Sequence, residues 1–180
     1  MDGPWYNEGM PPFQASTAPQ VTMTSSNQPL FPNSWLQPNR PGFFDYVGKT
    51  IYYKAWGVST TGATPGNFNL FVYWGNNTAS NGTQLGSNAF TWVASLTNVC
   101  WSIDLYIRAR AIGVNGQLVI YGTLFLGQTG LWMFPFSGTI TGVVCDLSRA
   151  NSNFISPQVN RSGTTAETIT PWDMYWQQLN

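Results

Sequence analysis

The chain has 180 residues, of which 8% are charged and 16% aromatic, with nine Trp, seven basic and seven acidic side chains and no His. That length suits one domain with an appendage. A formal charge of zero leaves no basic excess for a nucleic-acid partner and removes the self-repulsion that keeps free monomers apart, so the composition suits permanent assembly. Without histidine the commonest general base, the Ser/His and Cys/His nucleophile arrangements and most catalytic zinc sites are excluded. Cys100 and Cys145 offer neither a disulfide framework nor a CxxC metal site, and burial of both free thiols is expected.

The start, Met1-Asp2-Gly3-Pro4-Trp5, lacks a basic stretch followed by an apolar one, and no later apolar run approaches a bilayer span. A protein made in the cytoplasm with no membrane partner is expected. Pro4, Pro11, Pro12, Pro19, Pro29, Pro32, Pro38 and Pro41 crowd the first 41 residues, where the only charges are Asp2, Glu8 and Arg40. Proline removes donors and extends its neighbours, so residues 1–42 read as an extended N-terminal arm and 43–180 as a domain that folds without it. Trp5, Tyr6, Met10, Phe13, Leu30, Phe31, Trp35 and Leu36 punctuate this arm, together with Val21 and Met23. Solvating tails are poor in such residues, so these side chains are expected to anchor the arm on a neighbouring subunit.

From Lys49 onward the period is two. Strands are predicted over Thr50–Val58, Phe68–Trp74, Ala89–Ser95, Cys100–Ile112, Gln117–Leu126, Thr139–Asp146 and Glu167–Gln178. In the fourth, Trp101, Ile103, Leu105, Ile107, Ala109 and Ala111 form one face, while Ser102, Asp104, Arg108 and Arg110 fall on the other. The Asn115-Gly116 step joins this strand to the next as an antiparallel hairpin. No stretch carries the period of a long amphipathic helix. The fold class predicted is all-β, an antiparallel β-sandwich of jelly-roll type with the Pro-rich arm attached.

For chemistry, the acids of the folded region are Asp45, Asp104, Asp146, Glu167 and Asp173, and their spacing demands no paired-carboxylate site. Asp104 lies on a polar strand face beside Arg108 and Arg110, where cross-strand ion pairing accounts for it. No GxGxxG or GxxxxGK[ST] occurs among the eighteen glycines, so no catalytic residue, cofactor or metal is assigned. The Asn-x-Ser/Thr triplets at Asn76, Asn81 and Asn160 read as polar loop sequence. Trp56, Tyr73, Trp74, Trp92, Trp132, Trp172, Tyr175 and Trp176 are the aromatics that would hold a sugar ring on a β-sandwich, but core or interface duty explains them more simply.

Three stretches carry a family resemblance: Gly48-Lys49-Thr50-Ile51-Tyr52-Tyr53-Lys54-Ala55-Trp56-Gly57-Val58-Ser59-Thr60-Thr61-Gly62-Ala63-Thr64-Pro65, then Trp101-Ser102-Ile103-Asp104-Leu105-Tyr106-Ile107-Arg108-Ala109-Arg110-Ala111-Ile112-Gly113, and Met174-Tyr175-Trp176-Gln177-Gln178-Leu179-Asn180. From Gly48 onward the chain resembles β-sandwich virion proteins of tailed double-stranded DNA bacteriophages. The resemblance implies a non-enzymatic virion component, a capsid decoration (cement) protein on the head surface, with a homotrimer and the major capsid protein as partners. It supplies no active-site residues. The alternatives it leaves are a head fibre or tail component, and an adhesion module that binds host glycans.

Overall fold

The structure is a computed structural model that describes residues 20–32, 43–75, 82–127, 130–134, 142–148 and 154–179, with backbone alone at 131–134. Strict alternation of apolar and polar side chains builds three of its four longest strands. Thr50–Thr60, Val99–Ala111 and Gly116–Leu126 each bury every second residue along most of their length. In chain order the strands are β1 (Val21–Thr22), β2 (Gln28–Pro29), β3 (Thr50–Thr60), β4 (Asn67–Gly75), β5 (Gly82–Thr91), β6 (Val99–Ala111), β7 (Gly116–Leu126), β8 (Gly130–Phe134), β9 (Val143–Cys145), β10 (Phe154–Arg161) and β11 (Thr168–Gln178).

Two sheets result, and every pairing among them is antiparallel. The larger runs β1-β11-β3-β6-β7-β8, with β9 also on β7, and the smaller runs β2-β10-β4-β5. One cluster of buried residues drawn from both sheets lies between them, with Trp101, Tyr53, Phe68 and Phe90 among its largest members. The predicted β-sandwich is therefore observed.

Residues 20–32 depart from the reading of a detached arm. β1 pairs with β11 in the large sheet and β2 with β10 in the small one, so the segment crosses from one sheet to the other. Met23, Leu30 and Phe31 are fully buried in this chain's own core. Leu30 and Phe31 are thus not free to anchor on a neighbour. Arg161 holds the crossing: its Nε donates to the Met23 carbonyl at 2.7 Å and lies 3.0 Å from Oε2 of the fully buried Glu167. The Arg161 amide donates to the Thr24 carbonyl and the Met23 amide to the Glu167 carbonyl, each at 2.9 Å. The other expected anchors, Trp5, Tyr6, Met10, Phe13, Trp35 and Leu36, lie outside the described residues.

Four further differences from the predicted elements have local causes. β10 contains Pro157, which hides a strand from a sequence reading. It is tolerated because Pro157 faces the two-residue β2 rather than β4: its carbonyl accepts the Leu30 amide at 3.0 Å, so the donor it lacks is missing on that short side and not from the β4 ladder. In β11 the register slips between Pro171 and Asp173, so Trp172 is an extra residue and the buried phase changes from Ile169 and Pro171 to Met174 and Trp176. The chains approach so closely there that a Cβ on Gly57 would sit 2.0 Å from the Thr170 carbonyl oxygen. The β6–β7 hairpin turns through Gly113–Gly116 rather than at Asn115-Gly116: Gly113 takes the left-handed conformation (φ 88°), and the Gly116 amide donates to its carbonyl at 3.0 Å. Finally, β5 ends at Thr91 because the following loop docks on Thr61 and Gly62, the Ser95 amide donating to the Gly62 carbonyl at 2.8 Å and the Leu96 amide to Thr61 Oγ1 at 3.0 Å.

Candidate functional site

A sheet whose inner face packs on a core must present its other face outward. On the large sheet that face is built by even-numbered residues of β3 and β6 and odd-numbered residues of β7. Register places Gln177, Tyr52, Tyr106 and Tyr121 in one row across four strands. The next row holds Tyr175, Lys54, Asp104 and Thr123, and the third Asp173, Trp56, Ser102 and Phe125. Because neighbouring strands lie about 4.8 Å apart, rings at matched register meet. Tyr106 and Tyr121 stack with centroids 5.2 Å apart and planes 10° from parallel, and Tyr52 follows at 5.1 Å. Tyr175 packs edge-on against both Tyr52 and Trp56, at 5.8 and 6.2 Å.

At 5 Å spacing, parallel rings stand upright and cover one another's faces. They offer edges and hydroxyls to an incoming molecule rather than broad flat faces. Tyr121, Phe125 and Trp172 are exposed, and Tyr52, Tyr106, Trp56 and Tyr175 are half-buried. At the centre, Lys54 Nζ lies 3.3 Å from Asp104 Oδ1, and the Tyr52 hydroxyl donates to the same carboxylate. The predicted cross-strand pairing of Asp104 thus has Lys54 as its partner. Burial of Tyr52, reinforced by the adjacent Asp104 carboxylate, holds its phenol well above the usual tyrosine range.

The sugar-ring candidates divide by position. Trp74, Trp92 and Trp176 are buried in the core, and Tyr73 is buried on the outward side of β4. Trp56, Trp172 and Tyr175 share the aromatic face, while Trp132 lies at the register of Leu124 with its side chain outside the description. Tyr52, Tyr106, Tyr121 and Phe125 are not legible as a group in the sequence, because they lie on three separate strands. The available signal was their recurrence on the outward phase of adjacent strands.

Among the described residues the other acids each have a structural partner: Asp45 with Lys49 at 3.0 Å, Asp146 with the amide and hydroxyl of Ser148, Glu167 with Arg161 and the Thr165 hydroxyl, and Asp173 with the Met174 amide. Among the described residues no group of three or more His, Cys, Asp or Glu is placed to hold a metal. Of the cysteines, Cys145 is buried and its thiol is pushed up to about 11 by desolvation, whereas Cys100, expected inside, is exposed on the outward phase of β6. Asn160, one of the Asn-x-Ser/Thr positions, sits in β10 with its amide hydrogen-bonded, while Asn76 and Asn81 lie outside the described residues. No helix of the described residues is long and apolar enough to cross a membrane.

No family model and no curated protein matches the chain. Among solved structures, an alginate lyase variant in complex with an alginate trisaccharide is similar over 75% of this chain and 73% of its own, at 9% identity and a TM-score of 0.33.

Proposed function

We propose that this chain is a non-enzymatic structural protein of a tailed-phage particle, a capsid decoration (cement) protein that sits on the head as a trimer and acts by contact with the major capsid protein. The observation that carries this reading is the aromatic outward face of the large sheet, where Tyr52, Tyr106, Tyr121, Trp56, Tyr175 and Phe125 surround the Lys54–Asp104 pair, with Arg108 and Arg110 on the same face beyond Tyr106. Aromatic enrichment with few charges is the composition of a protein–protein contact core. Three strand spacings by three rows give a flat area on the order of 300 Å², whereas a stable interface buries about 800 Å² per partner. The remainder falls to residues 1–19, which carry Trp5, Tyr6, Met10 and Phe13 and would span about 60 Å if extended.

The test is occupancy on purified heads. Deleting residues 2–19, or replacing Tyr106 and Tyr121 with Ala, is expected to lower head binding at least about tenfold while the chain stays folded. Unchanged occupancy with both variants would overturn the reading. An epitope label imaged on intact particles is expected over the whole shell; a label confined to one vertex would instead favour the tail component.

A further inference from the structure

The outward face of the small sheet has a different chemistry. Asn67–Gly75 of β4, Gly82–Thr91 of β5 and residues 154–160 of β10 contain no Lys, Arg, Asp or Glu. In place of charge there is a chain of side-chain hydrogen bonds. Asn69 Nδ2 donates to Asn160 Oδ1 at 2.6 Å, and Asn160 Nδ2 to Asn27 Oδ1 at 2.6 Å. Asn27 Nδ2 donates to the Tyr73 hydroxyl at 3.1 Å, that hydroxyl to Gln84 Oε1 at 3.3 Å, and Gln84 Nε2 to Ser87 Oγ at 3.0 Å. Every link runs in the same sense, so each bond polarises the next.

Two observations make this face a site rather than a polar surface. Gln158 belongs to its outward phase, between Phe71 of β4 and Pro29 of β2, and is fully buried, yet neither atom of its carboxamide has a hydrogen-bond partner. An unpaired buried amide is costly and is relieved by a group that both donates and accepts, which reaches Gln158 only when the side chains covering it shift. Beside it, Phe71 is half-buried and stacks with Tyr73 at 6.3 Å, giving an apolar patch in contact with the amide chain.

We propose that this face binds an uncharged glycan. Sugar hydroxyls donate and accept at once, matching the accessible amides and hydroxyl of Asn69, Gln84 and Ser87, with Gln158 engaged only when the side chains over it shift, and the C–H side of a pyranose ring packs on Phe71. Among the described residues this face presents no cation to favour an acidic sugar or a phosphate. The proposal does not depend on the chain's place in a particle.

The full-length chain is to be tested on an array of neutral gluco-, manno-, galacto- and N-acetylglucosamine oligosaccharides beside their uronate and sulfated counterparts, with calorimetry on the best ligand. Neutral oligosaccharides are expected to bind and acidic ones to bind no better. Phe71→Ala and Ser87→Ala are each expected to weaken binding by about tenfold, with Tyr121→Ala on the opposite face without effect. Ser87 lies at the end of the hydrogen-bond chain, so its variant keeps the test open should Phe71→Ala impair folding, which thermal unfolding will report. Absence of binding to neutral sugars at millimolar concentration, preference for acidic ones, or loss through Tyr121→Ala alone overturns the proposal. Concentration-dependent self-association abolished by Phe71→Ala would also overturn it, assigning the face to a second copy.

Discussion

The two outward faces of the sandwich arise from the same alternation of side chains but solve the problem of low charge differently. The large sheet stacks aromatic rings at matched register around the Lys54–Asp104 pair. The small sheet links carboxamides and hydroxyls in a one-way chain above the buried Gln158. The first face is aromatic with charged groups between and beside the rings and suits a partner protein. The second is polar and uncharged around the one apolar patch at Phe71 and suits a ligand rich in hydroxyls. What both share is the segment 20–32, which adds β1 to the large sheet and supplies Asn27 to the small one.

That shared dependence is the largest effect to test. Deleting residues 2–41 removes Met23, Leu30 and Phe31 from the core, each worth about 1.5–3 kcal/mol when fully buried, against a total stability of about 5–15 kcal/mol. Loss of a cooperative urea transition is expected, whereas deletion of residues 2–19 leaves it unchanged. A normal transition in the longer deletion would show that both faces stand without the segment.

A paired substitution sharpens the contrast between the faces. Asn160→Ala breaks two side-chain hydrogen bonds, leaving Asn69 and Asn27 short of partners, and is expected to cost about 1–2 kcal/mol. Tyr106→Ala removes ring contacts on an open face and is expected to cost about 0.5–1 kcal/mol. Equal losses in denaturant titrations would mean that the amide chain is no more integral than the rings.

The smallest effect is alkaline. Because the Tyr52 phenol is held above its unfolded value, by burial first and Asp104 second, its contribution is complete below about pH 10 and is lost as pH rises beyond that. Stability measured above pH 10 is expected to fall less steeply in Tyr52→Phe than in the parent chain. Identical slopes would remove Tyr52 from the account.

Legibility in the sequence followed local regularity. β3, β6 and β7 are readable because alternation holds over most of each strand, up to the shift at Arg110 in β6, and turn residues bound it on either side. β10 is not, since Pro157 looks like a strand breaker until its neighbour is known to be two residues long. In β11 one apolar pattern cannot describe both sides of Trp172, and in β5 a second register shift between Val72 and Tyr73 of its partner has the same effect. The aromatic face was visible only as unrelated residues on separate strands, and the amide chain joins positions as distant as Asn27 and Asn160.

The sequence by itself determined that the chain is an all-β sandwich with a sparsely charged surface, because side-chain alternation and charge are local properties. It determined equally that proline crowds the first 41 residues. Only the tertiary structure drew residues 20–32 into both sheets, through pairing with β10 and β11. Only the structure separated Cys100 from Cys145 and put Tyr52, Tyr106 and Tyr121 in one row. Register between strands decides these things, and it is set by backbone pairing across long separations and by bulges that shift a strand's phase.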